Sequence, residues 1–149
     1  MQTIKRPTVM ILLLLAILLL AACSTAEEPA KEEPAHLEKA EGSEFNLVTL
    51  TERAAERLDI QSELVGEQET NGGTAVVVPY SAVIYGLNGE TWAYIRNPGA
   101  DSLTFVREPI TVDYIEGGLA FLSDGPPAGT DVVTVGAAML YGADTGVGK

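Results

Sequence analysis

From Phe45 onward the chain alternates short apolar runs with turn residues, and the spacing is mostly that of strands. The exception comes first. Thr49 and Thr51 are both candidate helix caps, and Thr49-x-x-Glu52 fits a capping box. Glu52 to Leu58 then sets Leu50, Ala54, Ala55 and Leu58 on one side of a short helix. Ile60 to Val65 reads as a strand, and Asn71-Gly72-Gly73 interrupts the chain. Ala75 to Val78 is a second apolar run, halted by Pro79, which has no N–H for a ladder. Ala82 to Tyr85 is a third. Asn88-Gly89 between apolar flanks predicts a hairpin, because both residues tolerate the positive φ of a type I′ turn. Thr91 to Arg96 pairs back, with Trp92 and Tyr94 on one face and Ala93 and Ile95 on the other.

The pattern continues beyond the loop Asn97 to Asp101. Leu103 to Val106 is a strand, and Ile110, Val112 and Tyr114 alternate with Thr111, Asp113 and Ile115, as in a half-buried strand. Glu116-Gly117-Gly118 turns the chain into Leu119 to Leu122. The loop Asp124 to Gly129 precedes Asp131 to Val135, the last clear strand, and Ala137 to Tyr141 follows. About nine short strands predict a mainly β fold over residues 45–143: a small antiparallel barrel or sandwich with one short N-terminal helix. Residues 144–149 read as a flexible tail. No period of 20–50 residues repeats, which excludes a solenoid or propeller.

Upstream of Phe45 the pattern changes twice. Residues 1–22 carry Lys5 and Arg6 and then an uncharged apolar run, Val9 to Ala22, of 14 residues. A membrane span needs about 20; a signal-peptide core takes about 7–15. Leu20-Ala21-Ala22-Cys23 resembles the bacterial lipobox, in which small residues admit a signal peptidase and the cysteine thiol carries the lipid. Cys23 is the single cysteine of the chain and is the expected lipid attachment site. Several acyl chains, at about 0.8 kcal/mol per buried CH2, hold a protein at a membrane almost irreversibly. Residues 23–44 then form the expected tether. Over 24–44 there are seven Glu, two Lys and two Pro, with one large apolar residue, Leu37. Such a stretch buries too little to offset its ordering entropy and reads as disordered. The competing reading is a short helix docked on a partner, against which Pro29 and Pro34 both count.

Composition narrows the function. The formal charge is −12, with 9 Lys and Arg in all, which argues against a nucleic-acid partner, and none is expected. Losing residues 1–22 also removes Lys5 and Arg6, so the mature charge becomes −14: seven basic against 21 acidic side chains. One Cys excludes a disulfide framework. The single His, His36, lies in the tether without a second His or Cys to join it, so neither a metal nor a catalytic role is expected of it. The domain therefore has no Ser/His/Asp set, and Cys23 is taken by lipid. The Gly pairs sit at turns rather than in a phosphate loop. Asp113 lies on a strand with no second carboxylate placed beside it by sequence, so a glycosidase pair is not expected. Met139 alone remains for a soft-metal site, too few for one. Trp92, Tyr94, Tyr114 and Phe121 read as core first and as groove lining second. No enzyme, cofactor or metal is expected.

The order of the remaining segments resembles one family. Val77-Val78-Pro79-Tyr80-Ser81-Ala82-Val83-Ile84-Tyr85 is followed by Gly89-x-Thr91-Trp92-x-Tyr94 and by Phe105-Val106-Arg107-x-Pro109-Ile110-x-Val112. Gly125-x-Pro127-Ala128-Gly129-Thr130-x-Val132-Val133-Thr134-Val135-Gly136-Ala137-Ala138 comes next, then Leu140-Tyr141-Gly142 and Gly146-Val147-Gly148. Residues 74–146 thereby resemble the C-terminal part of the periplasmic adaptor subunits (membrane fusion proteins) of RND-type efflux pumps. Val48-x-Leu50-Thr51, with Ala54, Arg57-Leu58 and Ile60, is similar to the family's first strand. In that family the two ends of the chain meet in a membrane-proximal domain that docks on the inner-membrane pump. A β-barrel domain, a lipoyl-like domain and a helical hairpin are inserted between them. Here only about ten residues separate Val65 from Val76. The resemblance implies a membrane-proximal domain without those insertions, lipid-anchored in the bacterial envelope on the periplasmic or extracytoplasmic side. It further implies an accessory, non-enzymatic component that binds an RND-type pump or a full-length adaptor. The alternative is a stand-alone envelope lipoprotein that binds a small ligand or another envelope protein.

Overall fold

The computed structural model describes residues 33–100 and 103–146; the expected signal segment 1–22, Cys23 and the start of the tether lie outside them. The described residues form eleven strands. They are β1 (Ala35–Lys39), β2 (Asn46–Leu50), β3 (Gln61–Leu64), β4 (Gly66–Thr70), β5 (Gly73–Pro79) and β6 (Ile84–Tyr85), then β7 (Thr91–Arg96), β8 (Thr104–Pro109), β9 (Thr111–Glu116), β10 (Leu119–Asp124) and β11 (Asp131–Val135). Two helices, α1 (Glu52–Leu58) and α2 (Ala137–Thr145), and a 3-10 turn, Tyr80–Ala82, complete them.

The strands make two antiparallel sheets. The larger runs β1-β2-β8-β7-β11-β3, with β6 added to β7; the smaller runs β4-β5-β10-β9. Neither closes into a barrel, and the arrangement is the sandwich-like, mainly β fold that the strand spacing predicts. The central strands β7 and β11 bury both faces. Ala93 and Val132 pack with Val78, Ala120 and Leu122 of the smaller sheet, and with Val65, Val83 and Ile110. Tyr94 and Val133 point the other way, into Val48, Leu50 and Phe105, where Ala54 of α1 and Ala137 and Leu140 of α2 cover them. Each fully buried Val, Leu or Phe contributes about 1.5–3 kcal/mol over its exposed state. This two-sided burial is why β7 reads Trp-Ala-Tyr-Ile rather than alternating with charges.

Several expectations are revised. The acidic segment joins the fold at Ala35, inside the stretch whose composition reads as a disordered tether. β1 pairs with β2 over its whole length, from Ala35 against Leu50 to Lys39 against Asn46. Four of its five side chains are exposed, so the strand is held by ladder hydrogen bonds that composition does not report. The docked-helix alternative is likewise not what these residues form. Strand β4 was hidden for the same reason: Gly-Glu-Gln-Glu-Thr has no apolar alternation and pairs as an outer strand with β5.

Thr51, not Thr49, caps α1: its hydroxyl accepts from the Ala54 amide at 3.2 Å, while Thr49 sits in β2 with its Oγ1 3.0 Å from Thr104 Oγ1. Of Ala82 to Tyr85, only Ile84 and Tyr85 pair as strand. The Asn88-Gly89 turn is not type I′, because Asn88 keeps a negative φ and Gly89 alone is left-handed at 90°. Gly86 donates to the Glu90 carbonyl and Gly89 to the Gly86 carbonyl, a three-residue loop ending in a left-handed Gly. Ala137 onward is helix and continues through Thr145, so Asp144 belongs to α2 rather than to a tail.

Candidate functional site

Two features meet where β7, β8 and β9 come together: a buried polar knot, and an open groove in front of it. The knot centres on Asp144, whose side chain is wholly buried. The α2 repeat Ala137, Leu140, Asp144 puts it on the face that packs against the larger sheet. Its Oδ1 accepts from Asn46 Nδ2 at 2.8 Å, and its Oδ2 accepts from the Tyr94 hydroxyl at 2.8 Å. Arg107 Nε lies 3.0 Å from the same Oδ2, an ion pair in which the N–H is not aimed along the contact. Burial, and then the negative charge and hydrogen bond of Asp144, push the Tyr94 hydroxyl far above its ordinary pKa. It stays protonated and donating.

Arg107 also connects the knot to the groove. Its guanidinium carbon lies 4.8 Å from the Phe45 ring centre, 4.9 Å from that of Trp92 and 5.6 Å from that of Tyr141. Trp92 and Tyr141 stack at 6.0 Å with 25° between their planes. Residues from the start of the domain, its middle and its last helix thus hold one cation.

The groove has a volume of about 910 Å3. Glu44 and Phe45 line it. Tyr85, the loop residues Gly89 and Glu90, Thr91 and Trp92 of β7, and Pro109 to Ile115 line it as well. Its charged residues, Glu44, Glu90 and Asp113, are all acidic. Glu90 is fixed by the loop: its Oε2 accepts from the Asn88 amide and its Oε1 from Asn88 Nδ2, both at 3.2 Å. Its own backbone amide first, and then the Asn88 side chain, hold this carboxyl below the ordinary range.

The four aromatic residues singled out by sequence divide. Tyr94 and Phe121 are core, at 0% and 4% exposure. Trp92 and Tyr114 line the groove, and Tyr114 is 45% exposed, stacked on Phe121 at 4.3 Å. Asp113 lines the groove as well. His36 is exposed on β1, 3.2 Å from Glu38 Oε1. Met139 is exposed on α2. Among the described residues no group of three or more His, Cys, Asp or Glu side chains is placed to hold a metal. No helix of the described residues is long and apolar enough to cross a membrane. Cys23 lies outside them.

Sequence reasoning named Arg107 only as part of a motif and missed Asp144. The signal was present: Ala137, Leu140, Tyr141 and Asp144 fall at helical spacing, with the carboxylate in a core position. No protein-family model, no curated protein and no solved structure matches the chain. What the fold and site define is a mainly β domain with a preformed acidic, aromatic groove backed by a buried ion pair.

Proposed function

We propose that this protein is a lipid-anchored, non-enzymatic binding component of a bacterial envelope efflux system, docking through its β domain on an RND-type pump or a full-length adaptor. The observation that carries the reading is the strand order of the larger sheet. It interleaves the first segments of the domain, β2 and β3, with later ones, β8, β7 and β11. The short β4–β5 hairpin follows Val65 directly, at the place where the resembling adaptors insert their other domains. A domain closed by early and late segments together is the arrangement the resemblance implies. The groove supports a binding role, since it offers a preformed concave surface.

The test is affinity purification of the tagged full chain from detergent-solubilised membranes, with mass spectrometry against a tag-only control. An RND-type pump or full-length adaptor enriched in near-equal amount is the expected result; recovery of neither overturns the reading. The groove also favours the stand-alone alternative, and recovery of a different envelope protein through the same surface would establish that instead. Replacing Cys23 by Ala is expected to leave the protein unprocessed or to release it from membranes; unchanged mass and fractionation would remove the anchor.

A further inference from the structure

We infer that the free edge of β9 is a strand-addition site for an extended, Lys- or Arg-bearing segment of a partner protein. Among the described residues, β9 ends the smaller sheet and pairs with β10 alone. Five of its six residues border the groove: Thr111, Val112, Asp113, Tyr114 and Ile115 all line it. Side chains alternate between the two faces of a strand. A groove that touches five successive residues therefore runs along the strand's edge, where the unpaired backbone groups are.

The hairpin geometry identifies which groups those are. Glu116 pairs with Leu119 across the two-residue turn Gly117-Gly118, both left-handed. In such a hairpin the closing pair is hydrogen-bonded and the next is not. Ile115, opposite Ala120, therefore turns its N–H and C=O outward. Asp113 is the extra residue of a bulge, since Tyr114 pairs with Phe121 and Val112 with Leu122. Tyr114 and Ile115, on opposite faces, are each 45% exposed, apolar area that an added strand would cover.

Charge selects the occupant. The groove's charged lining is wholly acidic, and the chain carries −12. A bulge and carboxylates on an edge discourage pairing with a second copy of the same acidic strand. The same carboxylates complement a basic strand. This inference deepens the binding role proposed above and rests on it for the partner being a protein.

The experiment uses the full lipoprotein in detergent micelles and two fluorescent peptides of about eight residues. One alternates Lys with Val and Thr; the other has Glu in place of Lys. Fluorescence anisotropy reads binding, and hydrogen exchange with mass spectrometry locates it. The expected result is binding of the Lys peptide with slowed exchange over β9, and at least about tenfold weaker binding of the Glu peptide. Ile115→Pro removes an outward donor while sparing the β9–β10 ladder, and is expected to weaken binding about tenfold. Should that variant fold poorly, Asp113→Lys combined with Glu90→Lys is expected to invert the peptide preference. No binding by the wild type, equal binding of both peptides, or protection away from β9 overturns the proposal. So does self-association that Ile115→Pro abolishes, which would assign the edge to a second copy. Failure here with a pump still recovered from membranes sinks the strand edge alone; peptide binding without a pump sinks the efflux reading alone.

Discussion

Asp144 combines three contacts: it accepts from the Asn46 amide and from the Tyr94 hydroxyl, and its charge pairs with the Arg107 cation. Its removal strands a buried charge on Arg107 and leaves the Tyr94 hydroxyl without its acceptor. Breaking one partner of a buried pair costs about 3–5 kcal/mol. Asp144→Ala is expected to lose about that much in urea unfolding of the unlipidated chain from Ser24 onward, and Asp144→Asn less, because the amide oxygen still accepts. A loss below about 1 kcal/mol would mean that the knot is not a stability element. Tyr94 adds a pH dependence. Its folded pKa lies above the unfolded value of about 10. Its contribution is therefore complete below about pH 10 and is lost as pH rises from there toward the folded pKa. Each such group adds a slope of about 1.4 kcal/mol per pH unit. Unfolding midpoints measured above pH 10 should fall in the parent chain and fall less steeply in Tyr94→Phe.

Among the elements, legibility followed the apolar pattern, and β3 and β9 were read from it although most of their side chains are exposed. β5, β7, β8, β10 and β11 were readable because at least one face is apolar, and β7 because both are. β1 and β4 were not, because an outer strand is held by its neighbour's backbone and its side chains stay in water. α2 was readable in principle, but a carboxylate at the core end of its repeat made the last turn look like a solvated tail. The groove was half legible: Trp92, Tyr114 and Asp113 were named, yet which aromatics are core depends on pairing register, which one chain pattern does not fix. The junction from β11 to α2 has its own test. Gly136 has φ 86°, and a Cβ there would run into Ile60 Cδ1. Gly136→Ala therefore combines left-handed strain with a clash and is expected to cost about 1–3 kcal/mol in the same unfolding assay. Gly117→Ala, also left-handed but with open space around it, isolates the backbone part and should cost less.

For the whole molecule, the strand order makes the domain depend on its last residues. β3 has its partner in β11, β2 in β8, and Asp144 closes the knot that begins at Phe45 and Asn46. Ending the chain at Gly136 keeps every strand but removes α2. It uncovers Val48, Tyr94, Phe105 and Val133 on one side, and it leaves Arg107 without its carboxylate. Stability in small domains totals about 5–15 kcal/mol. Loss of the Leu140 side chain alone is worth about 2–5 kcal/mol, and loss of the buried pair adds about 3–5 kcal/mol more. The truncated chain is therefore expected to lose cooperative unfolding and to bind a hydrophobic dye. Leu140→Ala in the intact chain should remain folded with a lowered midpoint. Near-ultraviolet circular dichroism reads the outcome through the Trp92–Tyr141 stack and the buried Tyr94. If the truncated chain kept a cooperative transition, α2 and its buried ion pair would not be what closes the domain.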